Sequence, residues 1–209
     1  MCGKFTQRAE WDGIAGYGDL TGCEESPALE AVTPMRFASV IACDAKARRK
    51  AVRMRWGLIP PSAAKPHIHA RAETIDVRPA FREAFARRRG LVPVASFNEG
   101  REIAPRRTEQ YVLTPSDGAP LAIAVVWEPA REGCPLAFAM VTVPPNPLLA
   151  PITDRMPALI EAADWPLWLG ETGAGLAAVK ALLKPSVRAL DLEIEKRPSP
   201  KNPDQPDLF

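Results

Sequence analysis

Two histidines and two tyrosines are all that 209 residues contain of those types. Imidazole is the commonest metal ligand. The four cysteines, Cys2, Cys23, Cys43 and Cys134, show no CxxC spacing. No zinc site and no cofactor is therefore expected. No apolar run approaches the ~18 residues that span a bilayer, and the polar start lacks the apolar segment of a secretory signal. The expectation is a cytoplasmic protein with free thiols and no membrane partner. Net charge is only +2, so charge balance by itself does not announce nucleic acid.

What the chain has in excess is proline, at 23 residues, about twice the ~5% background. Proline breaks helix interiors and central strands, which predicts many short elements and long ordered loops. Hydrophobic residues make up 46%, enough for one sizeable core. The basic side is mostly arginine and clustered: Arg48-Arg49-Lys50, Arg53 and Arg55, Arg87-Arg88-Arg89, Arg106-Arg107. Arginine suits bidentate phosphate contacts, although such runs also serve as plain solvated faces.

Residues 7–15 read as a short helix and glycine-rich 16–22 as a loop. Phe37–Cys43 and Ala51–Ile59 read as strands, the second alternating Val52, Met54 and Trp56 against Arg53 and Arg55 with period two. Residues 78–88 read as a helix, with Pro79 acceptable in its first turn. Leu91–Phe97, Gln110–Thr114, Leu121–Trp127 and Leu136–Val143 are strand candidates rich in Val, Ile and aromatics. Residues 163–169 and 174–184 read as helices, and Val187–Ile194 as a last strand. Strands dominate, so the class is α+β with a mainly antiparallel, barrel-like sheet and flanking helices. From residue 196 the composition turns to proline and charge without an apolar period. This predicts a domain over 1–195 and a disordered tail over 196–209.

Cys2 directly follows the initiator in Met-Cys-Gly-Lys-Phe. A small second residue permits removal of Met1, which would place the α-amine and the thiol of Cys2 two carbons apart. The α-amine has a pKa near ~7.7–8.0 and is partly nucleophilic at neutral pH. It forms a Schiff base with an aldehyde, and the β-thiol then closes onto the imine carbon to give a thiazolidine. The plain alternative is a small buried hydrophobe.

Five strings occur in order: Met-Cys-Gly-Lys-Phe at 1–5, Trp56-Gly57-Leu58-Ile59-Pro60, His69-Ala70-Arg71-Ala72-Glu73-Thr74, Leu91-Val92-Pro93 followed by Phe97-Asn98-Glu99, and Asp154-Arg155-Met156-Pro157. As an ordered set, anchored by the cysteine at position two, they resemble the SRAP (SOS response-associated peptidase) family over roughly residues 2–195. The resemblance implies an α+β fold with a barrel-like sheet and a basic DNA groove. It implies covalent capture, through Cys2, of the ring-opened abasic site in single-stranded DNA. Glu99 matches the family's active-site glutamate, which moves protons in ring opening, dehydration and closure. Arg71 and Arg155 match phosphate-holding arginines, Trp56 matches an aromatic near the groove (core packing being the equal alternative for that residue alone), and Lys4 stands where the family has arginine. An arginine beside an aromatic suits single strands.

The chain departs from the pattern in several places. His69 stands where the family has asparagine, and Thr153 where it has histidine. Ser96-Phe97-Asn98-Glu99-Gly100 replaces Gly-Phe-Tyr-Glu-Trp, and Glu30-Ala31-Val32-Thr33 replaces an Asn-rich string. Threonine does not titrate near neutral pH, so crosslink reversal and strand cleavage are expected to be weakened, with His69 either a candidate substitute acid or base or a backbone hydrogen-bond partner in place of the missing asparagine. His67 is read as structural. The family name also keeps open a peptidase with Cys2 as N-terminal nucleophile, and a third reading is a non-catalytic DNA-binding adaptor. The C-terminal Gln205-Pro206-Asp207-Leu208-Phe209 looks like a peptide that docks on the bacterial sliding clamp, with Gln205, Leu208 and Phe209 as anchors. The expected molecule is a monomer, acting at the nucleoid.

Overall fold

The computed structural model describes residues 2–8, 29–60, 65–105 and 107–195. Two sheets carry the fold. The first strands are β1 (Lys4–Arg8), β2 (Leu29–Val32), β3 (Phe37–Cys43), β4 (Arg49–Trp56) and β5 (His69–Arg71). Helix α1 (Arg82–Arg87) follows. Then come β6 (Arg89–Val94), β7 (Ser96–Ala104), β8 (Arg107–Pro115), β9 (Leu121–Glu128), β10 (Ala137–Val143) and β11 (Met156–Pro157). Helices α2 (Trp165–Leu169) and α3 (Leu176–Ala181) precede the last strand, β12 (Leu190–Ile194).

One sheet has the order β12-β8-β7-β1-β2 and is antiparallel throughout. The other runs β10-β4-β3-β6-β9 and closes on itself because β9 also pairs with β10. Closure removes the exposed edges that an open sheet would leave. Around the closed ring all pairings are antiparallel except that between β10 and β4, where Phe138 faces Trp56. Every residue of β10 is buried, as expected of a continuous Ala/Val/Phe/Met run at the centre of a closed sheet. Beyond its contact with β9, β10 receives β11 antiparallel; beyond its contact with β4, it receives β5 parallel. Two strings separated by about eighty residues thus meet on one strand.

The chain passes from the closed sheet to the open one at Ala95, whose N–H donates to Thr6 O (2.8 Å). Leu91–Phe97 is therefore not one strand but the end of β6 and the start of β7. The single residue between them turns the backbone onto a different partner. Residues 7 and 8 continue β1 rather than opening a helix, because β1 pairs on both sides, with β2 and β7. The rest of 7–15 and the loop 16–22 lie outside the described residues, as does the tail 196–209. The helix predicted over 78–88 narrows to six residues, with Pro79 in the preceding turn. The predicted helices 163–169 and 174–184 narrow to α2 and α3. Gly57 ends β4 with φ of +140°, and a Cβ there would lie 2.8 Å from Met35 Sδ. Only glycine takes that backbone without strain.

Two of the four arginine clusters serve the fold. Arg89 is buried and donates to the carbonyls of Phe85, Ala86 and Trp168, closing the C-terminal ends of α1 and α2, where cations are favoured. Arg88 pairs with Glu128 and Glu83. Arg49 makes a bidentate pair with Glu171 and lies 5.9 Å from the Trp165 ring centre. Arg48 pairs with Asp44 in the β3–β4 turn.

Candidate functional site

Register places the site. In the pairing of β1 with β7, Lys4 lies opposite Asn98 and Phe5 opposite Phe97. Continued by one residue this register sets Gly3 against Glu99, and Cys2 beside it hydrogen-bonds the Glu99 carboxyl through its backbone. Glu99 stands mid-strand and is 1% exposed. Cys2 is equally buried, and its Sγ lies 3.4 Å from Lys4 O.

Burial dominates the electrostatics. It pushes the Glu99 carboxyl up to about 7 by disfavouring the charged form. The chain's α-ammonium charge and hydrogen bonds from Thr153 and the Cys2 backbone pull the other way. The Cys2 thiol is pushed well above its ordinary value, first by burial and then by Glu99, so it is held as a thiol rather than a thiolate. A carboxyl that titrates near neutrality beside a protonated thiol suits proton exchange in both directions.

His69, on β5, completes the inner layer. Its Nε2 lies 2.8 Å from Cys2 O. Burial lowers its pKa below the ordinary 6.5, which keeps the ring neutral at pH 7 and able to donate to that carbonyl. Its ring meets Trp56 edge-on at 6.1 Å. Trp56 has no exposed surface, stacks with Phe138 at 6.4 Å and donates Nε1–H to Ile68 O. Expected beside the groove, it packs as core behind His69 and presents no ring face to a base. His67 packs edge-on against Phe81 at 5.5 Å, outside this cluster.

Thr153 reaches Glu99 from the loop before β11, and its Oγ1 also bonds to Arg155 O at 3.1 Å. The Arg155 side chain is buried, binds Glu73 through both guanidinium nitrogens (2.5 and 3.0 Å) and donates to Thr142 O. Arg155, expected to hold phosphate, here ties the 69–74 string to the 153–157 string. Arg71, one strand position from Ala70, is exposed and is the arginine of this pair open to solvent. Lys4 pairs with Glu195, whose second oxygen accepts from Asn98 Nδ2 at 3.3 Å.

The structure thus brings together Cys2, Glu99, His69 and Thr153, with Lys4 beside them. Arg71 lies two residues along β5 from His69, Arg155 immediately precedes β11, and Gln205, Leu208 and Phe209 fall outside the described residues. Sequence reasoning missed Glu73, although it lies inside a quoted string, and it missed Glu195 as the partner of both Lys4 and Asn98. No local signal marks Glu195; only the return of β12 beside β8 carries it to β1. Among the described residues, no three His, Cys, Asp or Glu side chains converge as a metal site would require. No helix among them is long and apolar enough to cross a membrane.

The chain is similar to two Bacillus subtilis proteins named abasic site processing protein, YoqW (31% identical) and YoaM (30% identical). Each is matched over 88% of this chain, and over 87% and 86% of its own length respectively. Its fold matches the crystal structure of a Bordetella bronchiseptica protein with a TM-score of 0.79 at 23% identity, covering 94% of this chain and all of that one. A Bacteroides thetaiotaomicron structure gives 0.77 at 19% identity, over 93% of this chain and 92% of that one. The family model described as SOS response associated peptidase (SRAP) matches residues 1–196. The ordered strings, the closed sheet and these likenesses agree: the chain belongs to the SRAP family.

Proposed function

We propose that this protein processes abasic sites in single-stranded DNA by covalent capture at Cys2. The observation that carries the reading is the shared burial of the Cys2 thiol and the Glu99 carboxyl, the latter titrating at about 7. The names of the Bacillus relatives support the substrate class.

After removal of Met1, the Cys2 amine adds to the aldehyde carbon of the ring-opened sugar, forming the C–N bond of a carbinolamine. Protonated Glu99 donates to the departing hydroxyl, water leaves, and an imine remains. The thiol then adds across C=N: sulfur bonds to carbon, the thiol proton passes through the Glu99 carboxylate, and nitrogen regains a proton. The product is a thiazolidine, water is the sole by-product, and no redox partner is involved. Holding the thiol protonated until the imine exists suits this order, because the proton has an acceptor only after Glu99 has given up its own. His69 fixes the backbone of Cys2 by donating to its carbonyl. Thr153 supplies a hydroxyl to Glu99 but no titratable group, so reversal is slow.

Incubating Met1-trimmed protein with an abasic oligonucleotide gives a denaturation-stable gel shift that Cys2→Ala lacks. Glu99→Gln slows its formation by about 10²-fold or more, the range typical of a lost general acid–base. Adduct formation no greater in the wild type than in Cys2→Ala would falsify the reading. A peptidase or a passive adaptor predicts no dependence on the aldehyde.

The C-terminal Gln205-Pro206-Asp207-Leu208-Phe209 is proposed as a sliding-clamp ligand, which would bring a cytoplasmic protein to the replicating nucleoid. Purified clamp binds the wild-type tail peptide and not the Leu208→Ala, Phe209→Ala form; equal binding by the two removes this part.

A further inference from the structure

The pairing of β1 with β7 sets Lys4 and Asn98 directly opposite each other, which puts their side chains on one face of the sheet. Asn98 is 2% exposed. Its amide Nδ2 donates to Glu195 Oε2 at 3.3 Å, while Lys4 Nζ pairs with Glu195 Oε1. The two oxygens of one carboxylate are thus each held by a different donor, one cationic and one neutral. This is the donor pattern of an oxyanion site, and it is built from residues that flank the reactive pair. The Lys4 carbonyl accepts from Cys2 Sγ, and Asn98 precedes Glu99.

We propose that Lys4 and Asn98 form a subsite for a backbone phosphodiester of the substrate strand, and that the Glu195 carboxylate fills this subsite in the free protein. The inference rests on the reading of Cys2 as a trap for single-stranded DNA, and it adds a phosphate position and an internal competitor. Two non-bridging phosphate oxygens can replace the two carboxylate oxygens without moving either donor. Glu195 is suited to yield. Its side chain and that of Lys4 are about one-third exposed (31% and 35%), the range in which ion pairs contribute little. It sits just past the end of β12, where one backbone bond, Glu195 N–H to Gln110 O at 2.8 Å, holds it. A phosphate must displace a fixed negative charge, so undamaged strands are bound weakly, and capture relies on the covalent step at Cys2.

The test measures non-covalent binding of a fluorescent single-stranded oligonucleotide, without a reactive aldehyde, to the full chain in a Cys2→Ala background at low salt. Glu195→Gln is expected to tighten binding three- to tenfold, and Glu195→Ala to do the same should the amide prefer a new partner. Lys4→Ala is expected to abolish the gain: the double variant Lys4→Ala, Glu195→Gln binds no tighter than Lys4→Ala alone. Unchanged or weaker binding by both Glu195 variants overturns the proposal. An equal gain in the Lys4→Ala background also overturns it, since that is a general charge effect. Failure of wild-type protein to form aldehyde-dependent adducts overturns the underlying reading as well; adducts without any Glu195 effect overturn the subsite alone.

Discussion

Glu99 couples the site to folding. In the unfolded chain its carboxyl ionises near 4.5, and in the folded protein at about 7. Between those values the folded state holds a proton that the unfolded state has released, so stability falls as pH rises through this window. The difference corresponds to roughly 3 kcal/mol once ionisation is complete. Thermal unfolding of the wild type should therefore drop from pH 4.5 to pH 7.5, while Glu99→Gln should show a flatter profile and exceed the wild type at the upper end. A wild-type profile that rises across this window contradicts the burial argument. Thr153 permits a gain-of-function prediction at the same scale. Thr153→His places an imidazole next to Glu99, and crosslink reversal, measured by transfer to a competing abasic strand, should accelerate at least several-fold. The chemistry-bearing residues were readable in sequence because motif strings keep reactive types at fixed places. Their surroundings were legible only in part: the period-two alternation put Trp56 on the apolar face of its strand, but nothing local in Ser-Phe-Asn-Glu-Gly reveals that Glu99 is buried.

At the scale of elements, strand β1 decides whether the site exists. Gln7 is 3% exposed and bridges the two sheets: its Nε2 donates to Ser39 O (2.7 Å) and Pro93 O (3.3 Å), and its Oε1 accepts from Ser39 N–H (2.8 Å). Gln7→Ala leaves these buried groups without partners and should cost roughly 2–4 kcal/mol, seen as a lower urea midpoint. Because β1 carries Lys4 and leads from Cys2, the same variant should lose adduct formation before global unfolding. Most strands were legible from alternation and β-branched content. The break at Ala95 was not, because a strand that changes sheets keeps its apolar pattern while only its hydrogen-bond partner changes. The overlong helix readings have a related cause. Apolar residues at helical spacing, such as Phe81 and Phe85, also pack from a turn followed by a short helix, and both are buried here.

For the whole molecule, part of the positive charge is met internally. Arg48, Arg49, Arg88, Arg155 and Arg188 each pair with a carboxylate, which withdraws these five from phosphate. Binding to undamaged single strands should show a shallow salt dependence, and Lys4→Ala should reduce the slope of log K against log salt by about 0.7, the share of one phosphate on a single strand. A slope unchanged by that substitution places the strand elsewhere.

The sequence by itself determined that a cysteine stands at position 2 and a glutamate at position 99, the order of the motif strings, the dominance of strands and the change of composition at residue 196. These follow from residue chemistry and local periodicity, which act over a few positions. Tertiary structure alone decided that β5 and β11 meet on β10, that Arg155 is spent inside the protein, and that Glu195 reaches Lys4 and Asn98. Those outcomes depend on sheet register and closure, which are set by the burial of many side chains at once.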